Sequence, residues 1–215
     1  MKCDKRTMRL YAVTDRYWTG KKTLFEQAEE ALRGGITCLQ LREKKLAEDE
    51  FLDEAIKLRK LCRSYGVPFV VNDSVEIAVK CGADGVHVGQ GDMDVRRVRE
   101  IVGENVLIGV SAQNVGQALE AERGGADYLG VGAVFATSTK LDADTVSFDE
   151  LKKICRSVSI PVCAIGGINK DNILQLCGSG IDGVALVSAI FASESITAEC
   201  RRLLELSERV AENED

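Results

Sequence analysis

Arg42 and Lys44 stand at alternate positions in the segment Gln40-Leu41-Arg42-Glu43-Lys44, and a third cation, Lys140, closes the hydroxyl run Thr137-Ser138-Thr139. Cations with hydroxyl donors beside them suit a highly charged phosphate group, which takes charge-assisted hydrogen bonds from both. Two carboxylates, Asp73 and Asp92, each follow a short apolar run, in Asn72-Asp73 and in Gly89-Gln90-Gly91-Asp92. Hard oxygen ligands beside phosphate-binding cations suit Mg²⁺, which keeps several waters and shares its coordination with substrate phosphates. A general acid/base pair is the alternative role for these two, and for Asp92 a helix cap ahead of Met93-Asp94-Val95. Gly166-Gly167 and Val187-Ser188 offer unencumbered backbone N–H groups, the kind of site that takes a second, simpler phosphate.

Such residues need a scaffold that aims them at one place, and the texture of the chain supplies it. Runs rich in Val, Ile and Leu at 10–13, 36–41, 69–71, 85–88, 106–110, 128–131, 162–165 and 183–187 read as buried strands. Between them lie stretches at helical spacing, at 23–33, 74–81, 95–102, 115–123, 148–156, 172–177 and 196–211. In another, Phe51, Ala55, Leu58 and Cys62 form an apolar stripe with Lys57, Arg59 and Lys60 left to solvent. A Gly-x-Asp motif recurs at Gly82-Ala83-Asp84, Gly125-Ala126-Asp127 and Gly180-Ile181-Asp182, with a degenerate version at Gly35-Ile36-Thr37. Each glycine can end a helix in the left-handed conformation and turn the chain directly into a strand. Pro68 and Pro161 sit at strand entrances, where a missing N–H does least harm.

Eight strand–helix pairs within 215 residues predict an α/β chain folded as a (β/α)8 TIM barrel, with a single domain over 1–215. A doubly wound sheet is the alternative, but no Gly-x-Gly-x-x-Gly turn follows the first strand. Barrel active sites lie at the carboxyl ends of the strands, where Gln40, Arg42, Lys44, Asn72, Asp73, Asp92, Ser111, Thr137 to Lys140, Gly167 and Ser188 all fall. The long loop 133–146 is the candidate lid.

Composition narrows the chemistry. With 28 Lys+Arg against 34 Asp+Glu the net charge is -6, and no basic cluster with interleaved aromatics offers a nucleic-acid footprint. No apolar run reaches the roughly 20 residues of a membrane span, so the expectation is a cytoplasmic protein with small-molecule partners and no membrane. Self-association into a homo-oligomer is compatible with this reading. A single histidine, His87, rules out a multi-His zinc site and leaves any triad to be built around it; flanked by Val86 and Val88, it reads as a packed, hydrogen-bonded residue. The eight cysteines form no C-x-x-C pair and read as reduced, small core hydrophobes.

Seven segments, taken together and in order, resemble the thiamine phosphate synthase family. They are Tyr-Ala-Val-Thr-Asp at 11–15, Gln-Leu-Arg-Glu-Lys at 40–44, Val-Asn-Asp at 71–73, Gly-Val-His-Val-Gly-Gln-x-Asp at 85–92, Gly-Val-Ser-Ala at 109–112, Thr-Ser-Thr-Lys at 137–140 and Ala-Ile-Gly-Gly-Ile at 164–168. The resemblance implies a transferase of thiamine biosynthesis. It would join 4-amino-2-methyl-5-hydroxymethylpyrimidine diphosphate to 4-methyl-5-(2-phosphoethyl)thiazole, or its carboxylated form, and release pyrophosphate through a dissociative, carbocation-like step. It also implies that Gln40, Leu41, Arg42, Glu43, Lys44, Asn72, Ser111 and Lys140 hold the pyrimidine diphosphate, with Arg42, Lys44, Lys140 and Ser111 as the catalytic set. Thr137, Ser138, Thr139, Gly167, Val187 and Ser188 would hold the thiazole phosphate, and Asp73 and Asp92 the Mg²⁺. Two departures stand out: Gln113 where the family often has His, and Ala136 where it often has Pro. The related thiazole tautomerase generally lacks the full diphosphate-binding set, and a non-catalytic phosphometabolite-binding barrel would have lost metal or cation positions. Neither loss is seen here.

Overall fold

The computed structural model of the chain describes residues 3–20, 22–136 and 145–212. Eight parallel strands, β1 (Leu10–Val13), β2 (Cys38–Leu41), β3 (Phe69–Asn72), β4 (Gly85–Val88), β5 (Leu107–Ala112), β6 (Tyr128–Val131), β7 (Val162–Ile165) and β8 (Gly183–Leu186), close into a barrel in chain order. Closure is made where β1 pairs with β8, Tyr11 opposite Ala185. No strand edge is left exposed, so a continuous ladder satisfies the backbone of an almost wholly apolar set of strands.

Helices α1 (Leu24–Arg33), α2 (Glu48–Tyr65), α3 (Val75–Cys81), α4 (Val95–Val102), α5 (Val115–Arg123) and α6 (Phe148–Ser157) each follow one of the first six strands, and the one-turn α7 (Ser188–Phe191) and α8 (Ile196–Glu212) both follow β8. Their starts are set by side chains that satisfy orphan N–H groups. Thr23 and Glu26 form a reciprocal capping box on α1, and Ser74, Asp94, Asn114 and Ser147 cap α3, α4, α5 and α6. Asp94 therefore takes the cap of α4, and Asp92 is free of that duty. The helix expected over 172–177 is instead a 3-10 turn, Ile173–Leu176. Ile173 and Leu176 are both buried at a spacing that either kind of turn satisfies, and positive-φ Gly178 and Gly180 follow too closely for a longer helix.

Two apolar layers result. The larger lies between strands and helices, where Leu39, Leu58, Phe69, Ile108 and Leu129 are essentially inaccessible. Burying each such side chain contributes roughly 1.5–3 kcal/mol. The smaller fills the barrel and includes Met8, Tyr11, Cys38, Val70, Tyr128 and Cys163.

The recurring Gly-x-Asp motif has a second purpose at the barrel floor. Gly35, Gly82, Gly125 and Gly180 all take positive φ and start the turn into the next strand. The residue two positions on then latches the preceding strand. Asp84 Oδ2 accepts the Phe69 N–H at 2.9 Å, Asp127 Oδ2 that of Ile108 at 2.8 Å, and Asp182 Oδ2 that of Val162 at 2.9 Å. In the degenerate copy Thr37 Oγ1 accepts the Leu10 N–H at 2.9 Å. Four strand pairs are thus registered by the same device at the end opposite the chemistry.

Candidate active site

Above this floor the strand ends open into one cavity of about 520 Å³. Gln40, Arg42, Lys44, Asn72, Asp73, Asp92, Ser111, Gly167, Val187 and Ser188 all line it. Leu41 and Glu43, which the resemblance grouped with them, do not. Strand alternation turns Leu41 outward into the layer against the helices, where it is fully buried. Glu43 also faces away, toward the β1–α1 connection, with its side chain only 3% exposed. Thr137, Ser138, Thr139 and Lys140 lie outside the described residues, as does most of the 133–146 loop.

The cationic wall is built by the ends of β1 and β2. Thr14 receives the Arg42 N–H on its hydroxyl at 3.0 Å, and Arg42 Nη1 lies 3.3 Å from Asp15 Oδ2. Glu43 shapes the next turn, accepting the N–H of Lys44 at 2.8 Å, that of Lys45 at 3.0 Å, and Arg16 Nε at 2.7 Å. Burial alone would raise the Glu43 carboxyl, but the Lys45 and Lys44 N–H groups and the Arg16 guanidinium outweigh it and hold it below the usual range.

Asp73 follows β3 with φ 62°, the one non-glycine residue at positive φ among those described. Such a backbone costs energy and persists only where neighbours over-determine it. Here the Asp73 N–H donates to His87 O at 2.8 Å, and Lys44 Nζ sits 2.5 Å from Asp73 Oδ2. Asp92 closes the turn after β4 by accepting the Gly89 N–H at 2.7 Å. Two carboxylates on one cavity wall, one of them pinned in a strained backbone beside a cation, fit a Mg²⁺ that draws its remaining ligands from water and phosphate. No cluster of three or more His, Cys, Asp or Glu able to hold a metal occurs among the described residues.

The opposite wall is backbone. Gly166 and Gly167 follow β7 with φ 100° and 68°. A side chain at 166 would meet Ala133 Cβ at 2.5 Å, and one at 167 would meet Ala136 O at 2.4 Å. Glycine here lets the chain after β6 pack directly on the chain after β7. Asn172 Nδ2 steadies this turn by donating to Gly167 O at 2.9 Å. Val187 and Ser188 open α7, whose Ser188 and Ala189 N–H groups precede the first bonds of the turn, made by the Ile190 and Phe191 N–H groups to Val187 O at 3.1 and 3.0 Å.

The cavity floor was missed by reading strand ends alone. Tyr11, His87 and Tyr128 line it from within their strands, and Gln90 and Gln113 line its rim. A hydrogen-bonded chain crosses the barrel: Gln40 Nε2 donates to Tyr11 Oη at 2.7 Å, and Tyr11 Oη meets Tyr128 Oη at 2.7 Å. Tyr128 Oη lies 3.2 Å from His87 Nδ1, and His87 Nε2 is 3.0 Å from Ser111 Oγ. Burial pushes both phenols well above the ordinary tyrosine range, so both hydroxyls keep their protons. His87 is thus packed and hydrogen-bonded as expected, but on the inner face of the wall.

A closed parallel barrel with cations, carboxylates and backbone N–H groups facing one another across a single mouth defines a phosphate-handling TIM-barrel protein. Residues 10–190 match the family model described as thiamine monophosphate synthase, and the chain belongs to that family. It is 46% identical over 198 residues to the thiamine-phosphate synthase of Clostridium acetobutylicum, covering 92% of this chain and 94% of that protein. It is 49% identical over 197 residues to the thiamine-phosphate synthase of Ruminiclostridium cellulolyticum, with the same coverage of 92% and 94%. The fold superposes on the thiamine phosphate pyrophosphorylase from Pyrococcus furiosus with a TM-score of 0.89 at 41% identity, covering 96% of this chain and 98% of that one. No helix among the described residues is long and apolar enough to cross a membrane.

Proposed function

We propose that this barrel condenses 4-amino-2-methyl-5-hydroxymethylpyrimidine diphosphate with the thiazole phosphate to give thiamine phosphate and pyrophosphate, using 1–215 as one unit. The observation that supports this reading is two unlike sets of groups lining one cavity: Arg42 and Lys44 with Asp73 and Asp92 on one wall, Gly167, Val187 and Ser188 on the other. A diphosphate needs charge to hold it, whereas a phosphate monoester is held well by backbone N–H groups. Condensation requires both at once, at a distance that brings the two rings together.

In the reaction the bond between the pyrimidine methylene carbon and the diphosphate oxygen breaks, and its electron pair leaves with the diphosphate. The amino group of the ring supplies electron density to the carbocation-like carbon, and the thiazole nitrogen lone pair then forms the new C–N bond. The chain's task is to stabilise a leaving group that gains charge, and to hold the two reactants in line while excluding water. Arg42 and Lys44 receive the leaving diphosphate, with Lys140 assigned to the same group from the sequence. Asp73 and Asp92 would hold Mg²⁺, which when bound neutralises developing negative charge on the diphosphate. Gln40, Asn72 and Ser111 place the pyrimidine ring, and Thr137 to Thr139 join Gly167, Val187 and Ser188 around the thiazole phosphate. No strong base is required, in keeping with a single histidine in the chain.

The test is direct. The purified protein with both substrates and Mg²⁺ should form thiamine phosphate and pyrophosphate in equal amounts, and absence of product with all three present would overturn the proposal.

A further inference from the structure

The chain of hydrogen bonds beneath the cavity has a direction. Each phenol has one proton to give. Gln40 Nε2 donates to Tyr11, which leaves the Tyr11 proton for Tyr128, 2.7 Å away. The Tyr128 proton is then the one directed at His87 Nδ1, so the neutral ring carries its own proton on Nε2 and donates to Ser111 Oγ at 3.0 Å. Ser111, already accepting, has its hydroxyl proton left for the cavity that it lines. At the other end one of the two Gln40 amide hydrogens is committed to Tyr11, which fixes the way the carboxamide is turned, and its carbonyl oxygen is the acceptor it can offer a ligand.

The barrel is carved around this arrangement. A Cβ at Gly109 would lie 2.2 Å from Tyr128 Cζ and 2.4 Å from His87 Nδ1, and one at Gly130 would lie 3.0 Å from His87 Cε1. Two glycines in adjacent strands therefore make the space that the imidazole and the phenol occupy.

We infer that Tyr11, Tyr128 and His87 are positioning residues that fix Ser111 as a hydrogen-bond donor and Gln40 as an acceptor, and so select a ring bearing an amine beside an acceptor nitrogen. The inference rests on the condensation reading for the identity of that ring. An aminopyrimidine presents this pair; the corresponding oxo-pyrimidine presents an acceptor oxygen beside an N–H and meets two like groups at once. A site built to bond a particular donor and acceptor rejects a ligand with the pattern reversed, because buried polar groups are then left unpaired.

The lone histidine gives an unambiguous readout. ¹⁵N NMR of histidine-labelled, ligand-free protein should show a neutral ring protonated at Nε2 alone. A ring protonated at Nδ1, or at both nitrogens, at neutral pH overturns the inference whatever the enzyme's activity. The second measurement is competitive binding of the 4-amino and 4-oxo forms of the pyrimidine diphosphate. Wild type should favour the amino form by about tenfold or more. Tyr128→Phe should mix the tautomers and narrow that preference to within about threefold. A Tyr128→Phe protein that folds and keeps the full preference would also overturn it. If the tautomer is as expected but no thiamine phosphate forms, the condensation reading fails and the polarity of the network stands.

Discussion

Replacing Lys44 by methionine keeps the length and apolar stem of the side chain and removes only its charge. Lys44 Nζ lies 2.5 Å from Asp73 Oδ2, with the two side chains 52% and 30% exposed. An ion pair so open to solvent contributes roughly 0.2–1 kcal/mol, which for a domain of this size moves Tm by about 4 °C at most. The same charge, aimed preorganised at a leaving diphosphate, is worth about 3–4 kcal/mol of barrier, or roughly 10²–10³ in turnover. The two effects differ enough to be separated in one pair of measurements. Thermal unfolding should barely change, while kcat, followed by pyrophosphate release at saturating substrates and Mg²⁺, should fall by two to three orders of magnitude. Turnover within about fivefold of the parent, with Tm unchanged, would refute the assignment of Lys44 to the leaving group.

Asp92→Ala and Lys140→Ala should each lower turnover by roughly 10²–10³, by the same logic of lost charge stabilisation; values within a few-fold in both would mean that the leaving group is handled elsewhere. Glu43→Gln removes the carboxylate that orders the turn carrying Lys44. Because the folded carboxyl is held below its ordinary value, its stabilisation is present above the ordinary carboxyl range and is lost as pH falls through the folded value. The variant should therefore be less stable by about 1.5–3 kcal/mol at neutral pH in urea unfolding, with the gap closing below roughly pH 4. Burial pushes the thiols of Cys62 and Cys200 up to about 12 and those of Cys38 and Cys163 well above their usual value. A thiol reagent at neutral pH should leave these cysteines unmodified in the native protein and react with them promptly once the chain is unfolded.

The barrel itself was legible because its signals are local. Apolar runs of strand length, stripes at helical spacing and glycines before each even-numbered strand all report on a few neighbouring residues. The rim was legible for a related reason: in this architecture the carboxyl ends of the strands gather at the mouth, so Arg42, Asp73, Asp92 and Ser111 could be found without knowing any distance. The floor was hidden because parallel strands are buried on both faces and read as unbroken apolar runs, so nothing in Leu10-Tyr11-Ala12-Val13 marks Tyr11 as the inward residue. The case of Leu41 and Glu43 runs the other way. Strand alternation already separates them from Gln40, Arg42 and Lys44, and a contiguous motif conceals that separation. The capping alternative for Asp92 is excluded because Asp94 takes the cap, a two-residue offset that Met93-Asp94-Val95 leaves open.

The latches at the barrel floor make the molecule modular. Each pair of strands carries its own registration, written into a glycine turn and the single side chain two residues later. Register does not have to be negotiated around the whole ring, so a pair can be regarded as a cassette that arrives already aligned. Cutting the chain between cassettes, for instance within the connection after α4, leaves the Thr37 and Asp84 latches intact in one half and the Asp127 and Asp182 latches in the other. Each half therefore keeps the contacts that register its own strand pairs, all of them at the end of the barrel away from the rim.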